Sequence, residues 1–128
     1  MSDSLVAAAR QAQQQAYAPY SHYQVGAAVE TVDGTVYTGC NIENASYGLA
    51  ICAERVALGA AMTAGARQFR RIAVVSSSEP PASPCGACRQ VLAELAPDAE
   101  VIAAGPRSVM RWTVAELLPV AFTPGHLT

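Results

Sequence analysis

Four side chains in this sequence have the types and spacing of a catalytic metal centre: Cys52 and Glu54 in Cys52-Ala53-Glu54, and Cys85 and Cys88 in Pro84-Cys85-Gly86-Ala87-Cys88. Three thiolates can grip a zinc ion and leave its fourth position open to water and substrate, whereas a structural site closes with a fourth ligand. A carboxylate that stands beside the metal without binding it takes a proton from the activated water and hands it to a leaving group. Such a set adds water to a polarised carbon. Each half alone has a blander explanation, since a Cys-x-x-Cys pair also serves thiol redox chemistry and buried cysteine is a common apolar filler.

Taken together, the two halves match the signature of zinc deaminases, in which the first ligand is His or Cys and the Glu is not a ligand. Cys40 is the obvious candidate for a fourth, closing ligand. It stands at the end of an expected strand with no cysteine at a short metal spacing, and reads as a packed thiol.

The elements that must position these residues follow from periodicity. Ser4 or Ser2 caps an expected helix that carries Leu5, Val6, Ala9, Ala12 and Ala16 on an apolar stripe and stops before Pro19. Tyr23 to Val32 reads as a strand, Asp33-Gly34 as a two-residue hairpin turn, and Thr35 to Cys40 as the partner strand. Cys52 to Ala64 is an alanine-rich helix, with Val56, Ala57, Ala60 and Ala61 at helical spacing. A strand over Ile72 to Ser76, a Ser/Pro-rich loop over Ser77 to Pro84, a helix over Cys85 to Leu95 and a strand over Val101 to Ala104 come next. A short helix over Val114 to Leu118 ends at Pro119, ahead of a weakly structured tail. Strands joined by helices imply parallel pairing and the hairpin antiparallel pairing, so an α/β fold with a mixed sheet is expected.

On this scaffold Cys52 and Cys85 both fall at helix starts, where unpaired N–H groups and the macrodipole favour thiolate. Cys85 and Cys88, three residues apart, share a helix face. Glu54, two residues after Cys52, turns to a different side, which suits a base beside the metal. Zinc with three thiolates carries a formal negative charge, and Arg55 or Arg89 can donate to a sulfur and withdraw part of it. Arg55 is the favoured candidate; for Arg89 a surface or subunit ion pair is the equal alternative.

Composition bounds the function. The chain of 128 residues reads as a single domain over 1–128, and its 52% hydrophobic content is ample for one core. A formal charge of −2, with eight scattered basic residues that are all Arg, leaves no electrostatic footprint for nucleic acid. No run approaches a membrane span, and nothing at the N-terminus reads as a secretory signal, so a cytoplasmic location and no membrane partner are expected. Four cysteines better explained by metal than by disulfides suit a reducing compartment.

Several segments carry a family resemblance: Ala16-Tyr17-Ala18-Pro19-Tyr20-Ser21, Val25-Gly26-Ala27-Ala28, Gly39-Cys40-Asn41-Ile42-Glu43-Asn44, Cys52-Ala53-Glu54-Arg55 and Ser83-Pro84-Cys85-Gly86-Ala87-Cys88-Arg89-Gln90. With Glu116-Leu117-Leu118-Pro119 and Phe122, they make nearly the whole chain resemble the small homotetrameric cytidine deaminases. The resemblance implies a three-layer α-β-α fold around a five-stranded mixed sheet, one zinc ion per subunit on Cys52, Cys85 and Cys88, and a homotetramer. It also implies ribose binding by Asn41 and Glu43, packing of Tyr23 (usually Phe in the family) on the pyrimidine, and a Phe122 that neighbouring subunits contribute to one another's pockets. Ser46 and Tyr47 match positions near an adjacent subunit's pocket.

The activity so implied is hydrolytic deamination of cytidine and deoxycytidine to uridine and deoxyuridine, a step of pyrimidine salvage. Glu54 carries protons from water to ring N3 and to the departing amine, and backbone groups around Ala53 and Ser83 to Cys85 read the base edge. One alternative is deamination of another aminopyrimidine, such as a blasticidin-type nucleoside antibiotic; the Asn-Ile-Glu-Asn run favours a plain nucleoside. A non-enzymatic zinc-binding or RNA-binding module is the other, against which stand Glu54 and the lack of a basic stripe.

Overall fold

The hairpin that opens the sheet shows how local chemistry sets register. In the computed structural model, which describes residues 2–127 without the side chains of Ser2 and Asp3, β1 (Gly26–Thr31) pairs antiparallel with β2 (Val36–Cys40). The connection is a three-residue loop rather than the expected two-residue turn, because Thr31 N still donates to Thr35 O at 2.9 Å. Gly34 takes the left-handed conformation there, at φ 92°, as such loops require. Asp33 locks it by accepting from Thr31 Oγ1, from Thr35 N at 3.1 Å and from Thr35 Oγ1 at 2.9 Å.

Five strands form one sheet in the order β2-β1-β3-β4-β5, with β3 (Phe69–Val75), β4 (Glu100–Ala104) and β5 (Val109–Thr113). Only β3 and β4 run parallel; β1 is antiparallel to both β2 and β3, and β4 to β5. The sheet is mixed for the expected reason, yet β5 escapes the periodicity reading. All but one of its residues are exposed, so this edge strand shows no clean alternation.

Alternation elsewhere divides the core in two. Ala27, Val29, Ile72 and Val101 face α2 (Ala53–Thr63), α3 (Gly86–Leu95) and α4 (Val114–Leu117), which bring Ala57, Leu58, Leu92 and Leu117. Ala28, Ala73, Val75 and Ile102 face α1 (Ser2–Gln13), which brings Leu5 and Ala9. The result is a three-layer α-β-α fold. Burial of large side chains such as Leu58 or Leu92 stabilises it by about 1.5–3 kcal/mol each.

Some boundaries move for tertiary reasons. Helix α1 ends at Gln13, short of the expected stop, because Tyr17 leaves to bond Asn41 O at 3.0 Å and bridge to Ile42. Ser4 lies inside the helix rather than ahead of it, and the Ser2 side chain is outside the described residues. Strand β1 starts at Gly26 instead of Tyr23 because the Asn41 side chain takes over the pairing, accepting from Val25 N at 2.9 Å and donating to Tyr23 O at 2.8 Å. A capping box of Thr113 and Glu116 starts α4. After it, Pro124–Leu127 makes a short 3-10 turn in the tail.

One close approach places the site. A Cβ on Gly39 of β2 would lie 2.4 Å from Ala57 N and 2.8 Å from Ala53 O, so α2 rests directly on the strand and only glycine fits. The alanine stripe of α2, with Ala53, Ala57 and Ala61 fully buried, permits that contact. Gly39→Ala should force the start of α2 off the sheet, with a loss of about 2 kcal/mol or more in a urea unfolding titration and weaker zinc retention; unchanged values of both would contradict this account.

Candidate active site

Two helix starts meet at one point. Cys52 is the N-cap of α2 and Cys85 the N-cap of α3, and neither uses its side chain to cap its helix. Cys88, fully buried, lies in the first turn of α3. Their three sulfurs lie within 4.8 Å of one another, with Cys52 Sγ 3.8 Å from Cys85 Sγ. Sulfurs bound tetrahedrally to zinc at about 2.3 Å sit about 3.8 Å apart, so the donor set fits that ion. Cys40 stays out of the cluster, partly buried and with its thiol pushed up by that burial.

The electrostatics are those of a site built for a cation. A hydrogen bond from Cys88 pulls the Cys52 thiol down to about 5 against the opposing effect of burial, with help from Arg55 and Cys85. Giving that bond pushes the Cys88 thiol far up, and burial and the Glu54 charge push the same way. Arg55 Nη2 donates to Cys52 Sγ at 3.7 Å, while its Nε is buried without a partner. The guanidinium thus lies against the Cys52 sulfur. Glu54, only 5% exposed, has its carboxyl raised first by burial and then by the charge on Cys52, while its own backbone and the Cys88 thiol bond it. A carboxyl raised from its ordinary range holds a proton more readily than a free one, which suits a group that must both accept and return it.

Arg89 is engaged within its own chain. Its guanidinium donates to Pro84 O at 2.8 Å, Leu117 O at 2.9 Å and Ser83 Oγ at 2.7 Å, so it meets carbonyls and a hydroxyl rather than a sulfur or an acid. One planar fork thereby ties the residues just before Cys85 to the end of α4.

Next to the cluster lies a pocket of ≈ 220 Å³, whose lining includes Tyr23, Asn41, Ala53, Glu54, Ser83 and Cys85. Val74 and Ser76 also line it, and sequence reasoning missed both. Their signal was present, since they continue the every-second-residue pattern of Ile72 along β3. Asn41 keeps one amide hydrogen and one lone pair beyond its bonds to Tyr23 and Val25. Glu43 is set apart in a separate hollow with Tyr20, Ser21 and Tyr47, where the Ser21 hydroxyl, foremost, holds its carboxyl below the usual range. Phe122 is not in the pocket of its own chain: it is 57% exposed, stacks on His126 at 5.2 Å between centroids, and is held by Gln90 Nε2, which donates to its carbonyl at 2.9 Å.

Comparison with known proteins decides the family. Residues 1–104 match the model of the cytidine and deoxycytidylate deaminase zinc-binding region. The chain belongs to this family. A cytidine deaminase of Halalkalibacterium halodurans is 53% identical, with 93% of this chain and 92% of the relative covered. That of Sporosarcina psychrophila is 45% identical over 98% and 94%. The crystal structure of the Burkholderia pseudomallei cytidine deaminase superposes with a TM-score of 0.93 at 50% identity, covering 95% of this chain and 99% of the other. The Arg89 bonds hold the segment that leads into Cys85. Arg89→Ala, which strips three bonds from it, should lower stability by about 2 kcal/mol or more. Zinc should also leave faster in a chelator competition, and retention equal to wild type would refute this role.

Proposed function

We propose that this chain is a single catalytic domain that hydrolyses cytidine and deoxycytidine to uridine and deoxyuridine with release of ammonia. Cys52, Cys85 and Cys88 hold one zinc ion per subunit in this reading, and Glu54 is the proton carrier. The observation that carries it is the buried Glu54 carboxylate on the wall of one pocket with Cys52 and Cys85, whose sulfurs converge with that of the buried Cys88. When bound, zinc supplies a Lewis acid that makes water nucleophilic at neutral pH.

The chain's own groups do the rest. Glu54 takes a proton from the attacking water and delivers it to ring N3 as C4 becomes tetrahedral; a second transfer to the exocyclic nitrogen lets ammonia leave. Its burial keeps bulk water from competing for the proton and strengthens each charge interaction. The Cys88 hydrogen bond, with help from Arg55, favours the charged form of Cys52. Asn41, with one donor and one acceptor position left, and Glu43 bind the ribose hydroxyls, and Tyr23 packs on the pyrimidine. Backbone groups near Ala53 and Ser83 read the base edge.

Assembly into a homotetramer accounts for surface that the fold leaves uncovered. Tyr17 and Ile42, joined by a bridge that continues to Ile51, sit near the exposed Tyr20–Tyr47 ring pair and Leu49, with Tyr47 77% and Leu49 66% exposed. An apolar patch of this kind beside a pocket marks an interface. Phe122, turned away from its own pocket, is free to enter a neighbour's. A cytoplasmic role in pyrimidine salvage fits the substrate. No helix among the described residues is long and apolar enough to cross a membrane.

Incubation of the purified, metal-assayed protein with cytidine should yield uridine and ammonia in equal amounts, and absence of both from every pyrimidine nucleoside in a panel would reject the function. Glu54→Gln should keep its zinc and lose more than ~10²-fold in turnover; full activity would remove Glu54 from the mechanism. Sedimentation should report about four times the 13.3 kDa chain mass, and a monomer active at the same concentration would reject the assembly.

A further inference from the structure

Tyr23 brings more than an aromatic face to the pocket. Its hydroxyl lies 2.6 Å from Ser78 Oγ. The two residues belong to different segments: Tyr23, which lines the pocket, precedes β1, whereas Ser78 is in the loop between β3 and α3 that supplies Ala82 and Ser83 to the pocket and runs directly into Cys85.

That loop is pinned at its root and at its far end. At the root, Ser76 N donates to Ala104 O at 3.1 Å, Ser78 N to Ser76 Oγ at 3.3 Å, and Ser108 Oγ to Glu79 Oε2 at 2.7 Å. At the far end, Arg89 holds Ser83 and Pro84. Across the front, Tyr23 supplies the cross-link, and Tyr23 is itself firmly seated. Its backbone N donates to Ser21 Oγ at 3.0 Å, its carbonyl accepts from Asn41 Nδ2 at 2.8 Å, and Ser21 Oγ donates in turn to Glu43. A hydrogen-bonded path thus runs from Glu43 through Ser21 and Tyr23 to the loop that carries Ala82 and Ser83 along the pocket wall.

We propose that Tyr23 and Ser78 form a latch across the pocket, with the Tyr23 hydroxyl as a positioning group that holds the Ala82–Ser83 edge at the spacing the nucleobase needs. A phenylalanine would supply the same ring without the cross-link. The latch deepens the deaminase reading and rests on it for its kinetic consequence, though not for its structural one.

Two measurements on the zinc-loaded protein test it: amide hydrogen exchange over residues 77–83, and steady-state kinetics with cytidine. Tyr23→Phe should retain zinc and melting temperature while exchange in that loop accelerates roughly threefold to tenfold, the range that one net hydrogen bond supports. KM should rise by a similar factor and by more than kcat falls. Ser78→Ala should reproduce both effects, and the double variant should be no worse than either single one, because each severs the same bond. Unchanged loop exchange in Tyr23→Phe, or effects of the two variants that simply add, would overturn the latch. If the wild-type chain turned over no pyrimidine nucleoside, the deaminase reading would fall, and the exchange comparison would still decide the latch by itself.

Discussion

Three thiols brought within 4.8 Å of one another, beside a buried carboxyl group, repel as soon as more than one of them ionises. The structure answers that repulsion with positive potential from three directions. The N-termini of α2 and α3 converge on the sulfurs. Arg55 reaches Cys52 from a neighbouring turn. Zinc is the remaining charge, and its fit is read from sulfur spacing that a tetrahedral ion would itself impose. The same conflict tunes the acid: Glu54 is raised by burial and by the thiolate beside it, which lets a carboxyl group serve as both acceptor and donor in one turnover.

Such a cluster needs a scaffold that holds two helix ends at a fixed distance. Small residues provide it on the α2 side, where Gly39 and the alanine stripe let the helix lie almost on the backbone of β2. On the α3 side the restraint is polar, through the Arg89 fork that clamps Pro84 and Ser83 to the end of α4. The pocket opens between these two supports, and one wall is the loop between β3 and α3.

Much of this was legible beforehand because it is local. Caps, hairpin chemistry and apolar spacing depend on neighbours within a few residues, so the helices that carry the cysteines and the strands of the core were readable with small errors at their ends. The exposed edge strand β5 was not, since a strand with nearly every residue in water lacks the alternation that burial writes into sequence. The start of β1 was shifted by Asn41, whose side chain replaces a backbone partner from 16 residues away. The Arg89 contacts within the chain were not readable, because two of its three partners are carbonyl oxygens, which leave no trace in residue type.

By itself the amino-acid sequence pointed to the chemistry: three cysteines and a glutamate at spacings that together match a zinc deaminase signature, with two of the cysteines at helix starts. Residue types carry reactivity and short-range periodicity, and both survive in one dimension. Tertiary structure decided which groups meet across long separations, among them the Arg89 clamp, the Tyr23–Ser78 contact, the separate hollow of Glu43 and the outward Phe122. Those pairings depend on how closely helices and loops pack on the sheet, a property of steric fit over the whole chain that no local pattern encodes.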